Sequence, residues 1–385
     1  MNLETWALLY WGSLALLAYI YIGYPVLLII GARMLPRKAV ARGADLPRVT
    51  LIISAYNEAK VMAKKLHNSL GLEYPRDRLE ILVVSDCSSD QTDEIVRSFD
   101  RHGVKLLRMP ERSGKTAGLN EAVRHATGEV LVFSDANAEY DRHAIARLVR
   151  NFADPEVGAV TGESRYRIGE NDASTESENA YWRYELALKK LESALGSVVG
   201  GDGAIYAIRK SLYQELDPAD LSDFVNPLQV VRQGYRNLYE PEAFSYEAGA
   251  EDFAAEFRRK VRIVNRAWRA SWKMRGLLNP FRYGVFALQF LSHKVLRWLA
   301  PVFMFFLLVA NIAIAERSAF FGVTLASQLL FYAAALAGWF LSRSGKPIFM
   351  VNVPYYFCSI NLASFVGMLQ ALRGRTYTTW TSSRR

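Results

Sequence analysis

Two apolar runs in this chain end on aspartate, Ile81-Leu82-Val83-Val84-Ser85-Asp86 and Val130-Leu131-Val132-Phe133-Ser134-Asp135. In an open parallel sheet ligands bind where strands stop, so two carboxylates at one edge suit a polar site that holds a divalent cation and, through it, a diphosphate. Other segments offer matching chemistry. Ser54-Ala55-Tyr56-Asn57-Glu58 puts polar side chains at a strand-to-helix junction, where they can meet a nucleotide base or ribose, although Asn57 alone reads equally as a helix cap. Asp86 can accept an N–H from a base or cap the helix that follows it. Gly114-Lys115-Thr116 is only superficially a phosphate loop, because the upstream glycine spacing is missing. Asp223, in Ser222-Asp223-Phe224, is on its own more often a helix N-cap than a catalytic group, and Asp202 in Gly200-Gly201-Asp202-Gly203 faces a ligand or shapes a glycine-rich turn.

The elements that carry these residues begin near Pro47, where short Val/Ile/Leu runs start to alternate with amphipathic stretches. That alternation is the pattern of parallel strands joined by crossover helices. Strands are expected at 49–54, 79–85, 104–108, 130–134 and 157–162, with helices at 57–70, 92–100, 115–126 and 141–152. Past Gly162 the pattern is mixed, with a helix near 177–195, a strand near 203–208, a helix near 224–234 and a basic helix over 258–275. The fold class is therefore α/β, with a Rossmann-like nucleotide-binding first half.

Order and spacing of these motifs resemble the family-2 inverting glycosyltransferases of GT-A fold, including the membrane synthases of hyaluronan, chitin and cellulose. The resemblance covers residues 47–275. It implies that Ala55, Tyr56, Glu58, Asp86, Lys115 and Asp135 hold the sugar nucleotide. Asp135-Ala136-Asn137 stands where the family has Asp-x-Asp, so Asp135 and Asn137 become the metal pair, for Mg2+ or Mn2+, with Asn137 a neutral replacement for the second acid. Asp223 becomes the general base that deprotonates the acceptor hydroxyl. Arg262 matches one arginine of the family's Gln-x-x-Arg-Trp and is assigned to the leaving diphosphate, but Arg259 replaces the glutamine and Ile263 the tryptophan. Asp202, Arg259 and Trp268 are carried as acceptor or diphosphate candidates, Arg259 also reading as a headgroup-facing basic residue.

Both ends of the chain are apolar. Residues 5–31, 299–315, 319–341 and 348–372 carry no charge, and each approaches or exceeds a spanning length. The first has no basic leader and reads as a permanent anchor over 1–35. Arg33, Arg37, Lys38 and Arg42 follow it and only Glu4 precedes it, which puts the amino terminus outside and the middle domain, 47–275, in the cytoplasm. Three spans after that domain would leave Arg373, Arg375, Arg384 and Arg385 outside, against the same rule, so one segment is not a simple span. Residues 276–298 are expected as an amphipathic interface helix, 299–372 as transmembrane helices in which Pro354 and Asn361 can break the last stretch, and 373–385 as a basic tail. The formal net charge of +9 lies at membrane flanks, and no stripe suggests nucleic acid. With only Cys87 and Cys358, a disulfide framework and a zinc site are excluded.

These readings together lead to a membrane hexosyl- or N-acetylhexosaminyl-transferase that moves a sugar, from a UDP-sugar, to a glycan or lipid-linked acceptor in polysaccharide or cell-envelope synthesis. The setting is a bacterial inner membrane, with a homo-oligomer or export partner as an option. Single addition to a polyprenyl-linked acceptor is the alternative, and an inactive sugar-nucleotide-binding scaffold the third reading.

Overall fold

A computed structural model describes residues 2–35, 40–167, 173–248, 253–344 and 348–379. Arg37, Lys38, Arg384 and Arg385 of the charge argument lie outside them. The chain opens with α1 (Leu3–Met34). The middle domain then runs β1 (Val49–Ala55), α2 (Ala59–Leu70), β2 (Leu79–Ser85), α3 (Thr92–Arg97), β3 (Val104–Arg108), α4 (Lys115–His125), β4 (Val130–Asp135), β5 (Glu139–Tyr140) and α5 (Ala144–Val149). It continues through β6 (Val157–Arg167), α6 (Ala173–Leu195), β7 (Tyr206–Arg209), α7 (Ser222–Arg232), β8 (Arg236–Ala248) and α8 (Phe253–Lys273). Three long helices follow, α9 (Val285–Arg317), α10 (Ala319–Arg343) and α11 (Phe349–Leu372).

The strands form one sheet in the order β3-β2-β1-β4-β7-β6-β8-β5. β1 pairs in parallel with β2 and β4, and β2 with β3, as the βα alternation requires. Every residue of β1 is buried, because helices cover both faces of a parallel sheet. Fully burying each of its Val, Leu and Ile side chains stabilises the fold by about 1.5–3 kcal/mol. The direction reverses at β7, which runs antiparallel to β4 and β6. The loop before β7 therefore opens on the same edge as the ends of β1, β2 and β4. β8 pairs with β6 in parallel, and the register shifts between Thr161 and Glu163, opposite the stretch that contains Pro241. Neither β8 nor the two-residue β5 is among the expected strands.

Four helices, α1, α9, α10 and α11, are long and apolar enough to cross a membrane. Of residues 276–298, expected as an amphipathic interface helix, 285–298 run on into the long apolar helix Val285–Arg317. α11 is continuous through Pro354 and Asn361, so the expected break is absent. It lies along α8: a β-carbon on Gly367 would come within 2.6 Å of the Val261 carbonyl and 3.0 Å of the Val264 side chain. Beyond α11 the chain stays on the middle domain, where Asn265 Nδ2 donates to the Arg375 carbonyl at 3.1 Å. At the other end of the molecule, Tyr10 packs with Ala310 and Ile314, which sets the start of α1 beside the far end of α9.

Candidate active site

β1 and β2 end in two loops that are tied together. Asn57 N–H donates to Ser88 Oγ at 3.1 Å, Ser89 N–H to Asn57 Oδ1 at 2.8 Å, and Glu58 N–H to Thr92 Oγ1 at 2.8 Å. Asn57 and Cys87 both adopt positive φ, 53° and 58°, a conformation that non-glycine residues hold only where their surroundings fix it. Ala55 is buried at the end of β1 and its carbonyl accepts Asp86 N–H at 2.9 Å. Tyr56 presents its ring to the Arg112 guanidinium, 3.9 Å from the ring centroid.

Asp86 is buried, and its carboxylate grips the loop that leads into α4. Oδ1 accepts Ser113 N–H at 2.7 Å, and Oδ2 accepts Gly114 N–H at 2.9 Å. The base contact expected of Asp86 would have to share these oxygens. Gly114 has φ +93°, and a β-carbon there would overlap the Thr378 carbonyl, so the end of the described chain lies directly over this turn. The turn presents Lys115 at the first position of α4. Its Nζ forms an ion pair with Asp135 and reaches the Gly203 carbonyl at 3.4 Å. Burial pulls the Lys115 pKa down, but Asp135 and Asp223 outweigh it, so the ammonium is held above its usual range.

Asp223 sits in the first turn of α7. A β-carbon on Gly203 would lie 3.3 Å from its Oδ2, so this glycine leaves the carboxylate room on the Lys115 side. Burial, together with the charges of Asp135 and Asp202, raises the Asp223 pKa, and Lys115 opposes that rise. Asp202 is held at short range by Ser164, whose Oγ donates at 2.6 Å, with Lys189 at 3.7 Å. Asp135, Lys115, Gly203 and Asp223 thus lie together at the edge where β4 and the loop before β7 meet.

α8 lies against the same edge. Among the described residues Arg262 has no hydrogen-bond or ion-pair partner; its charge is felt by Arg259 and Asp135. Arg259 Nε pairs with Glu256 at 2.7 Å, and Trp268 meets Trp298 of α9 edge-on with centroids 6.3 Å apart, so both are engaged in packing within and between helices.

Three side chains of the site escape sequence reasoning. Lys65 of α2 is fully buried; its Nζ donates to Ser134 Oγ at 2.7 Å and to the Ala138 carbonyl at 2.5 Å, bracketing the 135–137 turn, and burial lowers its pKa to about 7. Arg266, one helical turn beyond Arg262, donates to Thr116 Oγ1 at 2.9 Å and to the Ala219 carbonyl at 3.1 Å. Glu247 of β8 accepts Asn137 Nδ2 at 2.9 Å, and burial plus the nearby Asp135 and Asp202 push its pKa up to about 7. A lysine in an amphipathic helix and an arginine in a basic stretch look solvated from sequence. Glu247 lies in a strand with no apolar run to announce it.

A divalent cation fits the donor chemistry here. Asp135 and Asn137 offer hard oxygens at one turn, and Asp135 is the partly exposed member of the Lys115 pair. Among the described residues no three Asp, Glu, His or Cys side chains are grouped to hold a metal ion, so such an ion would take part of its shell from a bound diphosphate.

Residues 50–217 match the family model described as Glycosyl transferase family 2. The chain is similar to the Probable glycosyltransferase YdaM of Bacillus subtilis (strain 168), 28% identical over 317 residues, which span 77% of this chain and 70% of that protein. It is 26% identical over 224 residues to the Poly-beta-1,6-N-acetyl-D-glucosamine synthase of Staphylococcus aureus (strain COL), 57% of this chain and 54% of the synthase, about half of that relative's length. Among solved structures it is similar to the mannosyltransferase PcManGT from Pyrobaculum calidifontis in complex with GDP-Man and Mn2+, with a TM-score of 0.74 and 25% identity over 95% of this chain and 99% of that one. The fold is the GT-A Rossmann-like α/β fold, and this chain adds helices at both ends that are long and apolar enough to cross a membrane.

Proposed function

With residues 50–217 a glycosyl transferase family 2 domain, we propose that this chain is a membrane-bound inverting transferase that moves a sugar from a nucleotide-sugar to a glycan or lipid-linked acceptor, its catalytic domain on the cytoplasmic face of a bacterial inner membrane. The observation that carries this reading is the cluster in which the Asp223 carboxylate lies against Gly203, beside Lys115 and Asp135. A base and a diphosphate-binding group must both be within reach of one anomeric carbon for direct displacement, and this cluster has a carboxylate and an ammonium suited to those tasks.

Asp223 takes the proton of the acceptor hydroxyl while that oxygen attacks the anomeric carbon. The bond from that carbon to the diphosphate breaks on the opposite face, and the nucleoside diphosphate leaves with the electron pair. Inversion follows from one displacement, with no covalent enzyme intermediate. Lys115 and Arg262 neutralise the charge that develops on the leaving group. A divalent cation held at Asp135 and Asn137 would add to that neutralisation. Asp86, through Ser113 and Gly114, keeps the Lys115 turn in place.

Two donors are supported by different relatives. The staphylococcal synthases point to N-acetylglucosamine, and the likeness to a mannosyltransferase across nearly the whole chain, apolar helices included, points to mannose. Release of nucleoside diphosphate from membranes given a panel of UDP-, GDP- and dTDP-sugars separates them. Asp223→Asn is expected to abolish transfer and keep nucleotide binding near wild type; a parallel loss of both would remove Asp223 from the role of base.

A further inference from the structure

The Asp-Ala-Asn turn offers one carboxylate where a cation is better held by two. A neighbouring strand offers a second. β5 begins two residues after Asn137 and pairs antiparallel with β8, Glu139 opposite Tyr246 and Tyr140 opposite Ser245. Running that register back brings the end of β8 alongside the turn, and Asn137 Nδ2 donates to Glu247 Oε1 at 2.9 Å. Glu247 is half-buried and forms no ion pair among the described residues, and its second oxygen has no partner there. Asp135 ends β4 two residues before Asn137, so the turn carries one carboxylate of its own and receives a second from β8 through Asn137. With its amide nitrogen turned to Glu247, Asn137 has its carbonyl oxygen left for another partner.

We propose that Glu247 supplies the second carboxylate of the divalent-cation site, in place of the acid that Asn137 replaces. Asn137 then has two tasks, orienting Glu247 through its amide nitrogen and offering its own oxygen. Asp135, Glu247 and Asn137 make a hard-oxygen donor set of two charged groups and one neutral group, which suits Mg2+ or Mn2+ with the rest of the shell from diphosphate and water. The short β5 thereby acquires a purpose, since it fixes the approach of β8 to the turn. This assignment rests on the glycosyl-transfer reading in requiring a cation at the donor diphosphate.

The test is Mn2+ binding to the purified full-length protein in detergent, followed by electron paramagnetic resonance with UDP or GDP present, alongside nucleotide binding without metal. Glu247→Gln is expected to weaken Mn2+ binding about ten- to a hundredfold, the range for losing a group that tunes a metal site, and to leave metal-free nucleotide binding within about twofold of wild type. Asn137→Asp placed on Glu247→Gln is expected to restore part of the Mn2+ affinity. Unchanged Mn2+ affinity in Glu247→Gln, or equal loss of nucleotide with and without metal, overturns the role. A readout on the unsubstituted chain covers a variant that does not fold: Fe2+ with ascorbate and peroxide should cut the backbone near residue 247 as well as near 135–137, suppressed by Mn2+. Cuts at the turn alone overturn the proposal. If wild type shows no Mn2+-dependent nucleotide binding, it is the cation-dependent transfer reading that fails.

Discussion

Arg266 Nη2 donates to Thr116 Oγ1 across 2.9 Å, which joins the basic helix α8 to the residue next to Lys115. The same guanidinium bonds the carbonyls of Ala219 and Asp220, just ahead of Asp223. One buried cation thus holds together the donor-side helix α4, the loop that delivers the base, and the helix that carries Arg262.

Arg266→Met should therefore loosen the loop ahead of Asp223 without touching substrate. The bonds it removes are charge-assisted, worth about 1.5–3 kcal/mol each to a charged donor, so a lowered melting temperature and a fall in turnover larger than the change in donor KM are expected. Arg266→Lys should recover only part, because an ammonium cannot span three acceptors as a planar fork does. Thermal melts and steady-state kinetics on the pair of variants check this.

Acidity gives a second prediction. The Asp223 pKa lies above the ordinary 3.8, and a general base must be ionised, so activity should fall as pH drops through that raised value. Asp202→Asn removes a repelling charge and should move the acid limb of kcat/KM to lower pH. The linkage to stability runs the other way. A carboxyl whose folded pKa is raised contributes stability that is complete below its unfolded value and is lost as pH rises through the folded one. Asp223→Asn escapes that loss and should melt no lower than wild type at neutral pH.

Asp86→Asn replaces an acceptor oxygen by a donor, leaving a backbone N–H of Ser113 or Gly114 buried without a partner. At about 1–3 kcal/mol for an unsatisfied buried group, nucleotide affinity should fall roughly tenfold or more as the Lys115 turn relaxes, with or without metal. Calorimetry with a nucleoside diphosphate distinguishes this from Asp135→Ala, whose loss should appear only when a divalent cation is present.

The contacts of Arg375 and Thr378 with the catalytic domain predict a labelling pattern. In a chain with Cys87 and Cys358 changed to serine, a cysteine placed at Thr376 should react with an impermeant maleimide from the same side of the membrane as one at Arg101 on the domain surface. One at Thr5 should react from the opposite side. Three crossings after Gly284 would separate the first two sites, and that outcome would refute the packing of α11 along α8.

The parallel half of the fold was readable because each strand there is a contiguous apolar run and each helix opens on a polar turn. β1, β2, β3 and β4 fall within a residue of their expected ends. β8 was not readable: Arg236–Ala248 includes Pro241 and three glutamates, and the strand holds through pairing with β6 rather than through its own apolar content. Strand ends also announced Asp86 and Asp135, but not the partners that decide what each can do. Asp86 read as a base contact because its grip on Ser113 and Gly114 joins loops far apart in the sequence. Arg266 was hidden by its neighbours, since a run of arginines beside a membrane reads as headgroup-facing until tertiary packing singles one out. Pro354 suggested a broken helix, yet α11 continues through it, supported along its length by α8 and α10.

The reversal of strand direction between β4 and β7 has a consequence for how such an enzyme diversifies. Everything assigned to the nucleotide up to Lys115 is carried by the parallel strands and their crossovers, whereas the base and the surface open to the acceptor come from the antiparallel return and the helices after it. Substitutions before Lys115 are therefore expected to act on the nucleotide, and those after Gly203 on the recipient, apart from Glu247 and Arg262, which reach the diphosphate from the later stretch. Exchanging the later stretch alone is therefore expected to change the recipient more than the nucleotide.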